Sequence, residues 1–450
     1  MKYIKIFKNF ITKNNKFFII FLCFFSFLLG SHFLSNKIWP FGQGYYATFK
    51  NIKKYGFDYK KPITEKKAEQ IKTEKRKNTY RTTAHLISVK QIPDFFFDHI
   101  AIYKETETDL EFFSIKGNES TLENLNPLIV YKTKVNLKKG LITENKKILK
   151  IENNLRAGGI LITSGNRIFI SFLSYNSDKE ASLKIIELLE DNGTYYTVDL
   201  FKTKPIKSAD VNNTTIIQAG GRMIQISNNE ILIGIGDFGQ WAYKKEDDFR
   251  NNKFRNISTQ LGKAVIINLN TKLTKIYSEG LRNPQGLVKS KNFIIETEHG
   301  PEGGDEINFL EEGGNYGWPY ETYGAKYQEP FPEATHNTVF GNHHKYIKPI
   351  YAYIPSIGIK AIEKLPESQS EFPNWKDNFL VCSGKGIFRT SIIFNPNPRV
   401  VFTSKLEDKR TFQLPTKIVP QCRDLQITSN GQIITNAGML ITRKKIISKF

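Results

Sequence analysis

The sequence predicts an all-β protein, a six-bladed β-propeller preceded by an N-terminal transmembrane helix. Three observations lead there. Beyond residue 84, short β-type runs bounded by Gly, Asn and Pro replace long amphipathic helices. Within that region an apolar strand, a turn of Ser, Asn or Gly and a second apolar strand recur. Ahead of it, one long apolar run follows a string of lysines.

From the N-terminus, residues 1–16 form a basic leader carrying Lys2, Lys5, Lys8, Lys13 and Lys16. Residues 17–34, Phe17 to Leu34, contain no Asp, Glu, Lys or Arg and are long enough to cross a bilayer core. Both faces of such a helix are equally apolar, which a buried core helix does not require. No Ala-x-Ala cleavage signal follows, so the run reads as an uncleaved signal anchor. Positive charge before the span places the leader in the cytoplasm and the bulk of the chain in the periplasm, tied to the inner membrane. Residues 35–83 read as a Lys-rich stalk, and residues 84–450 as the propeller.

A net charge of +21 suggests a nucleic-acid partner, but its distribution argues against one. Residues 1–80 hold seventeen Lys and Arg against four Asp and Glu, so the leader and stalk carry most of the excess. The remaining lysines are scattered, and no nucleic-acid motif accompanies them. The three cysteines, Cys23, Cys382 and Cys422, have no zinc-ligand spacing. Cys382 and Cys422 read first as two buried thiols, while an exported location also permits a bridge between them.

The strand–turn–strand unit appears as GGILITSGNRIFISF from Gly158, GGRMIQISNNEILIGIG from Gly220 and QGLVKSKNFIIETEHG from Gln285. Looser copies begin at Ile359 and Arg423. Starts lie 62 to 74 residues apart, the length of a four-stranded blade with one functional loop. The less regular block Leu86–Tyr131 is expected to supply the remaining blade. In such a ring, function gathers where strand ends meet the central channel.

The polar strings at such positions are EGLRNPQGL, Glu279–Leu287, and ETEHGPEGGDEINFLEEGGNYGWP, Glu296–Pro319. Gly300, Gly303 and Gly304 allow close backbone approach, and Asp305 and Glu306 offer hard oxygen ligands of the kind calcium takes. A tight turn whose acids cap neighbouring amides is the alternative reading of the same residues.

These strings resemble the soluble quinoprotein glucose/sorbosone dehydrogenases, including the bacterial aldose sugar dehydrogenases. The resemblance implies a six-bladed propeller that binds pyrroloquinoline quinone (PQQ) and calcium at its mouth and oxidises sugars at the anomeric carbon. It assigns quinone contacts to Arg282, Asn283, Gln285, Lys385 and Arg423, and a calcium site to the carbonyls of Gly300 and Pro301. It assigns a second, structural calcium site to Glu306 and the carbonyl of Tyr316, and a sugar-lining role to Tyr351. Arginine and lysine suit a tricarboxylate cofactor, and calcium polarises a carbonyl that receives hydride.

The departures from that pattern are specific. The string QAGGR puts Gln218 where the family carries its catalytic histidine, and Ile217 where an aspartate orients that base. An amide accepts no proton in the working pH range. Gln421 replaces a flanking arginine, and Ala157 a glutamine. His336, His343 and His344 lie in an insertion long enough to fold over the mouth, and they read as scattered, solvated loop histidines ahead of a replacement for the base. Two functions from different classes follow: a PQQ-dependent sugar oxidoreductase, or a non-catalytic propeller that binds a glycan, a small molecule or a protein.

Overall fold

The computed structural model describes residues 87–117, 126–176, 180–207, 218–239, 260–325, 339–395, 397–406 and 422–443. The leader, the apolar run, the stalk, Ile217, His336 and Gln421 lie outside these residues. Among the described residues no helix is long and apolar enough to cross a membrane.

Among the described residues six antiparallel sheets, five of four strands and one of five, carry the fold. The first is β2 (His99–Glu105), β3 (Asp109–Lys116), β4 (Leu128–Asn136) and β5 (Leu141–Ile151). The second is β6 (Asn154–Ile162), β7 (Ile168–Tyr175), β8 (Glu180–Asp191) and β9 (Thr194–Lys202), with the short β10 (Ile206–Lys207) also pairing with β8. The third is β11 (Gly220–Ser227), β12 (Glu230–Ile235), β13 (Lys263–Asn268) and β14 (Thr274–Glu279). The fourth is β15 (Pro284–Ser290), β16 (Phe293–Glu298), β17 (Asp305–Leu310) and β20 (Tyr351–Tyr353); a two-stranded parallel pair, β18 (Glu321–Thr322) and β19 (Val339–Phe340), lies in the insertion between its last two strands. The fifth is β21 (Ile359–Lys364), β22 (Asn378–Ser383), β23 (Gly386–Ile393) and β24 (Arg399–Lys405).

The sixth sheet contains β25 (Leu425–Ile427), β26 (Ile433–Thr435) and β27 (Met439–Arg443), completed by β1 (Ile87–Gln91) from the other end of the chain. The block Leu86–Tyr131 therefore does two jobs. Its first strand pairs with β27 from Ile87↔Arg443 to Gln91↔Met439, and the rest begins the first blade. The innermost strands β2, β6, β11, β15, β21 and β25 neighbour one another in order, and β25 meets β2. That closure leaves the inner edges short and protected around the axis.

Burial follows position in the blade. Middle strands such as β12, EILIGI, are buried on both faces because a blade lies against each, so they read as continuous apolar runs. Ile231, Ile233 and Ile235 are fully buried, each worth about 1.5–3 kcal/mol relative to exposure. Outermost strands such as β5, LITENKKILKI, are exposed along most of their length, and their lysines discourage edge pairing.

Near the axis the inner strands crowd. A Cβ on Gly221, at φ +109°, would lie 2.6 Å from the Cα of Gly158, so only glycine fits there. Hydrogen bonds between neighbouring blades recur at a separation of 63 residues, as in Gly220–Asn283, Arg222–Gln285 and Glu363–Gln426. One covalent tie joins two blades. Cys382 in β22 and Cys422 before β25 form a buried disulfide with a Cα separation of 5.2 Å, where the sequence read first as two thiols.

Candidate active site

In every blade the first strand begins, and the second ends, at the same end of the ring. The pairs His99↔Ile115, Asn154↔Ser174, Gly220↔Ile235, Pro284↔Glu298, Ile359↔Ser383 and Leu425↔Thr435 mark that end. The strings singled out in the sequence flank these positions. The register thus gathers Gln218, Arg282, Asn283, Gln285, Gly300, Pro301, Lys385 and Arg423 on one face.

A pocket opens there, lined among others by His99, Arg156, Ala157, Arg222, Gln285 and Arg423. Asp424, fully buried beneath it, holds two of them: Arg222 Nη2 at 3.1 Å and His99 Nδ1 at 3.3 Å. Burial works against the Asp424 charge, but Arg222 and His99 outweigh it and hold the carboxyl below its usual range. Burial, and then Arg222, keep His99 below its ordinary value in spite of Asp424. Arg222 Nε also donates to the carbonyl of Gln285, and Arg423 pairs with Asp98. Lys360 lies close enough to Arg156 and Arg423 that burial, then those two charges, push it down to about 8. Glu363 is raised to about 8 by burial and by Asp424. The pocket lining carries Arg156, Arg222 and Arg423, with Asp424 and Asp98 paired to the last two.

Beside it sits a cluster that closes on itself. Arg282 Nη1 donates to the carbonyls of His299 and Gly300, both at 2.8 Å. Its Nη2 donates to the Gln218 side-chain oxygen at 2.9 Å, with the amide assigned so that its nitrogen donates to Asp237 at 2.7 Å. Trp318 donates its indole N–H to the other Asp237 oxygen at 2.8 Å, and the guanidinium lies 5.3 Å from the centre of the Trp318 ring. Asp237 is fully buried, and desolvation pushes it up to about 7 against the pull of Arg282.

An acid layer lies below. The backbone N–H groups of Arg282 and Asn283 donate to Glu298, and Asn308 donates to both Glu296 and Glu298. Burial and the nearby Glu306 raise Glu298 to about 8; burial and Glu298 raise Glu296 well above its usual range. Glu306 faces His343 at 3.6 Å. Buried oxygens of Glu296 (Oε1) and Asn308 (Oδ1) have no hydrogen-bond partner. Among the described residues no trio of His, Cys, Asp or Glu is arranged to hold a metal.

Gln285, Ala157 and Arg423 line the pocket, and Asn283 braces it by accepting from Gly220 N and Gln285 Nε2. Gln218 and Arg282 join in the neighbouring cluster. Lys385, at the β22–β23 turn, donates to the Ser356 carbonyl at 2.5 Å and does not line the pocket. The Tyr316 hydroxyl accepts from Glu311 N and donates to the Phe309 carbonyl, inside the fourth blade. Tyr351 sits on the outermost strand of that blade, its ring 4.8 Å from that of Tyr353, away from the pocket lining.

Sequence reasoning missed Asp237, His99, Arg156, Arg222, Asp424 and the Glu296–Glu298 pair as site groups. Two carried a local signal. Asp237 follows a fully apolar strand between two glycines, and Arg222 ends the same QAGGR string that exposed Gln218. His99 and Asp424 are 325 residues apart and meet only because the ring closes.

The sequence profile of the family described as Glucose / Sorbosone dehydrogenase matches residues 163–435. The aldose sugar dehydrogenase YliI of Escherichia coli is 27% identical over 229 residues, 49% of this chain and 52% of that protein. The quinoprotein glucose dehydrogenase B of Acinetobacter calcoaceticus is 35% identical over 124 residues, 22% of this chain and 25% of that protein. These matches span about half of the first relative and a quarter of the second. The solved aldose sugar dehydrogenase of Escherichia coli, in its apo form, superposes with a TM-score of 0.57 at 15% identity, covering 80% of this chain and 99% of that one. The PQQ-bound aldose sugar dehydrogenase of Streptomyces coelicolor gives 0.51 at 14% identity, covering 80% and 98%. At these identities the structural likeness speaks for the fold.

Proposed function

The chain belongs to the glucose/sorbosone dehydrogenase family, and from that premise we propose that it is a PQQ-binding oxidoreductase acting on a sugar CH–OH, slowed by the amide at residue 218. The observation that carries this reading is the convergence of Arg156, Arg222, Arg423 and Gln285 on one pocket at the channel mouth. Such a donor set fits a polycarboxylate, because guanidinium groups pair bidentately with carboxylates and stay charged at every working pH. When bound, the quinone supplies the two-electron acceptor for hydride.

The chain's own part is binding, orientation and charge. Arg222 and Arg423 hold the anion, with Asp424 and Asp98 fixing their positions. Gln218 accepts from Arg282 and donates to Asp237, so it orients both groups but takes no proton itself. Loss of a positioned base costs about a hundred- to ten-thousand-fold in rate. That same substitution favours a second reading, a propeller that binds a glycan, a small molecule or a protein without oxidising it.

The Gly300 carbonyl already accepts from the Arg282 cation, so calcium does not fit the Gly300–Pro301 loop in this arrangement. At the second site, assigned to Glu306 and the carbonyl of Tyr316, Glu306 would be the acidic ligand, and its charge reaches Glu296, whose buried Oε1 has no partner. Membrane attachment through residues 17–34 and a periplasmic propeller complete the proposal. The apolar run supports the first, and a buried Cys382–Cys422 bridge suits an oxidising compartment.

Titrating PQQ into the purified protein, with the bound quinone followed by absorbance and by quenching of tryptophan emission, tests the reading. Saturable binding is expected, and Gln218→His should raise dye-coupled sugar oxidation by about a hundredfold. No binding at micromolar cofactor would leave the non-catalytic reading standing.

A further inference from the structure

The Arg282 guanidinium occupies one carbonyl of the pair that the family likeness gives to calcium, that of Gly300, while the other, that of Pro301, accepts from the Gly304 N–H at 3.3 Å. Both terminal nitrogens of Arg282 are bonded, and its Nε has no partner. One nitrogen bonds the His299 and Gly300 carbonyls at 2.8 Å each. The other bonds Gln218 at 2.9 Å, and Gln218 is fixed in turn by Asp237 at 2.7 Å. Asp237 is pinned by the Trp318 indole, whose ring also packs against the guanidinium. The backbone N–H of Arg282 is tied to Glu298. To free the carbonyls, the side chain must break its contacts with Gln218 and Trp318 together.

We infer that the channel mouth of this protein works without calcium, with Arg282 supplying the positive charge at the His299–Gly300 carbonyls. A divalent ion beside a fixed guanidinium meets like-charge repulsion, and calcium needs six to eight oxygens, whereas the Gly300 oxygen is already committed to a donor. The amide at residue 218 strengthens the arrangement. An imidazole that takes a proton loses its acceptor and repels a neighbouring arginine, whereas an amide oxygen accepts from Arg282 at any pH. The substitution that removes the expected base is the one that locks this cation in place. The inference rests on the family assignment of the loop and not on quinone binding, so failure of PQQ to bind leaves it intact.

The test uses calcium alone. Calorimetric titration of the full chain in detergent, stripped with a chelator, reads the number of calcium sites. One site is expected at most, and Glu306→Gln should abolish it, leaving no saturable heat up to about 1 mM calcium. A micromolar site that survives Glu306→Gln overturns the inference. Where that variant fails to fold, terbium luminescence of the wild-type chain decides instead, because Trp318 lies against the loop and sensitises a lanthanide bound there. No emission attributable to Trp318, judged by comparison with Trp318→Phe, is expected; terbium emission lost in Trp318→Phe overturns the proposal.

Discussion

Arg222 and Arg282 are both buried arginines at the same mouth, one on the inner strand of the third blade and one just before that of the fourth, yet their surroundings differ in kind. Arg222 shares a single carboxylate, Asp424, with His99, and Arg156, Lys360 and Arg423 stand around it. Asp98 and Glu363 stand among these cations as well, and the pocket opens onto Arg156, Arg222 and Arg423. Arg282 is surrounded by acceptors, with Asp237 and the glutamate layer around it. Its two terminal nitrogens are committed to groups of the fold, while its Nε has no partner. The comparison teaches that the presence of an arginine at a site says little about its availability; the partners decide it.

The sharpest way to break the contrast is Arg222→Met. Removing the cation leaves Asp424 buried without its main counter-charge, which typically costs about 3–5 kcal/mol, and anion binding should vanish with it. Thermal unfolding and PQQ titration read the two losses. Next in size, Cys382→Ser with Cys422→Ser frees the segment that carries Arg423 and Asp424 from the fifth blade. Denaturant unfolding should show a loss of about 2–4 kcal/mol, whereas the Arg282 cluster, in other blades, keeps its contacts.

The acid layer predicts a pH signature of its own. Asp237, raised to about 7, and Glu298, raised to about 8, stay protonated in the fold where the unfolded chain has ionised. Their contribution is complete below about pH 4 and is lost as pH rises toward 7 to 8, so stability falls across that window. Asp237→Asn should shrink the difference in unfolding free energy between pH 5 and pH 8 by on the order of 2 kcal/mol. Lys360, pushed down to about 8, acts in the opposite sense at higher pH, where the unfolded chain alone holds its proton and stability is regained.

The smallest effects separate two cations with similar sequence credentials. Arg423→Ala should weaken binding of an anionic ligand about 10- to 100-fold with little change in melting temperature, because its partner Asp98 is partly exposed to water. Lys385→Ala should change the same affinity by less than about twofold, since its ammonium is spent on the Ser356 carbonyl away from the pocket lining. Equal effects in the two variants would show that the pocket extends to Lys385.

The linear sequence was sufficient for the architecture, because blade spacing and strand periodicity are local properties. The units beginning at Gly158, Gly220, Gln285, Ile359 and Arg423 each became an inner strand pair, and six blades followed. It also disclosed the amide at residue 218 and the loop around Gly300, since both lie in short contiguous strings. Only the tertiary structure decided how the charges pair. Asp424 reaches His99 and Arg222 through ring closure, Asp237 reaches Gln218 from the following hairpin end, and the two cysteines 40 residues apart become neighbours across two blades. Those pairings depend on which strand ends the closed ring brings together, and sequence periodicity carries no information about which partner a buried charge will meet.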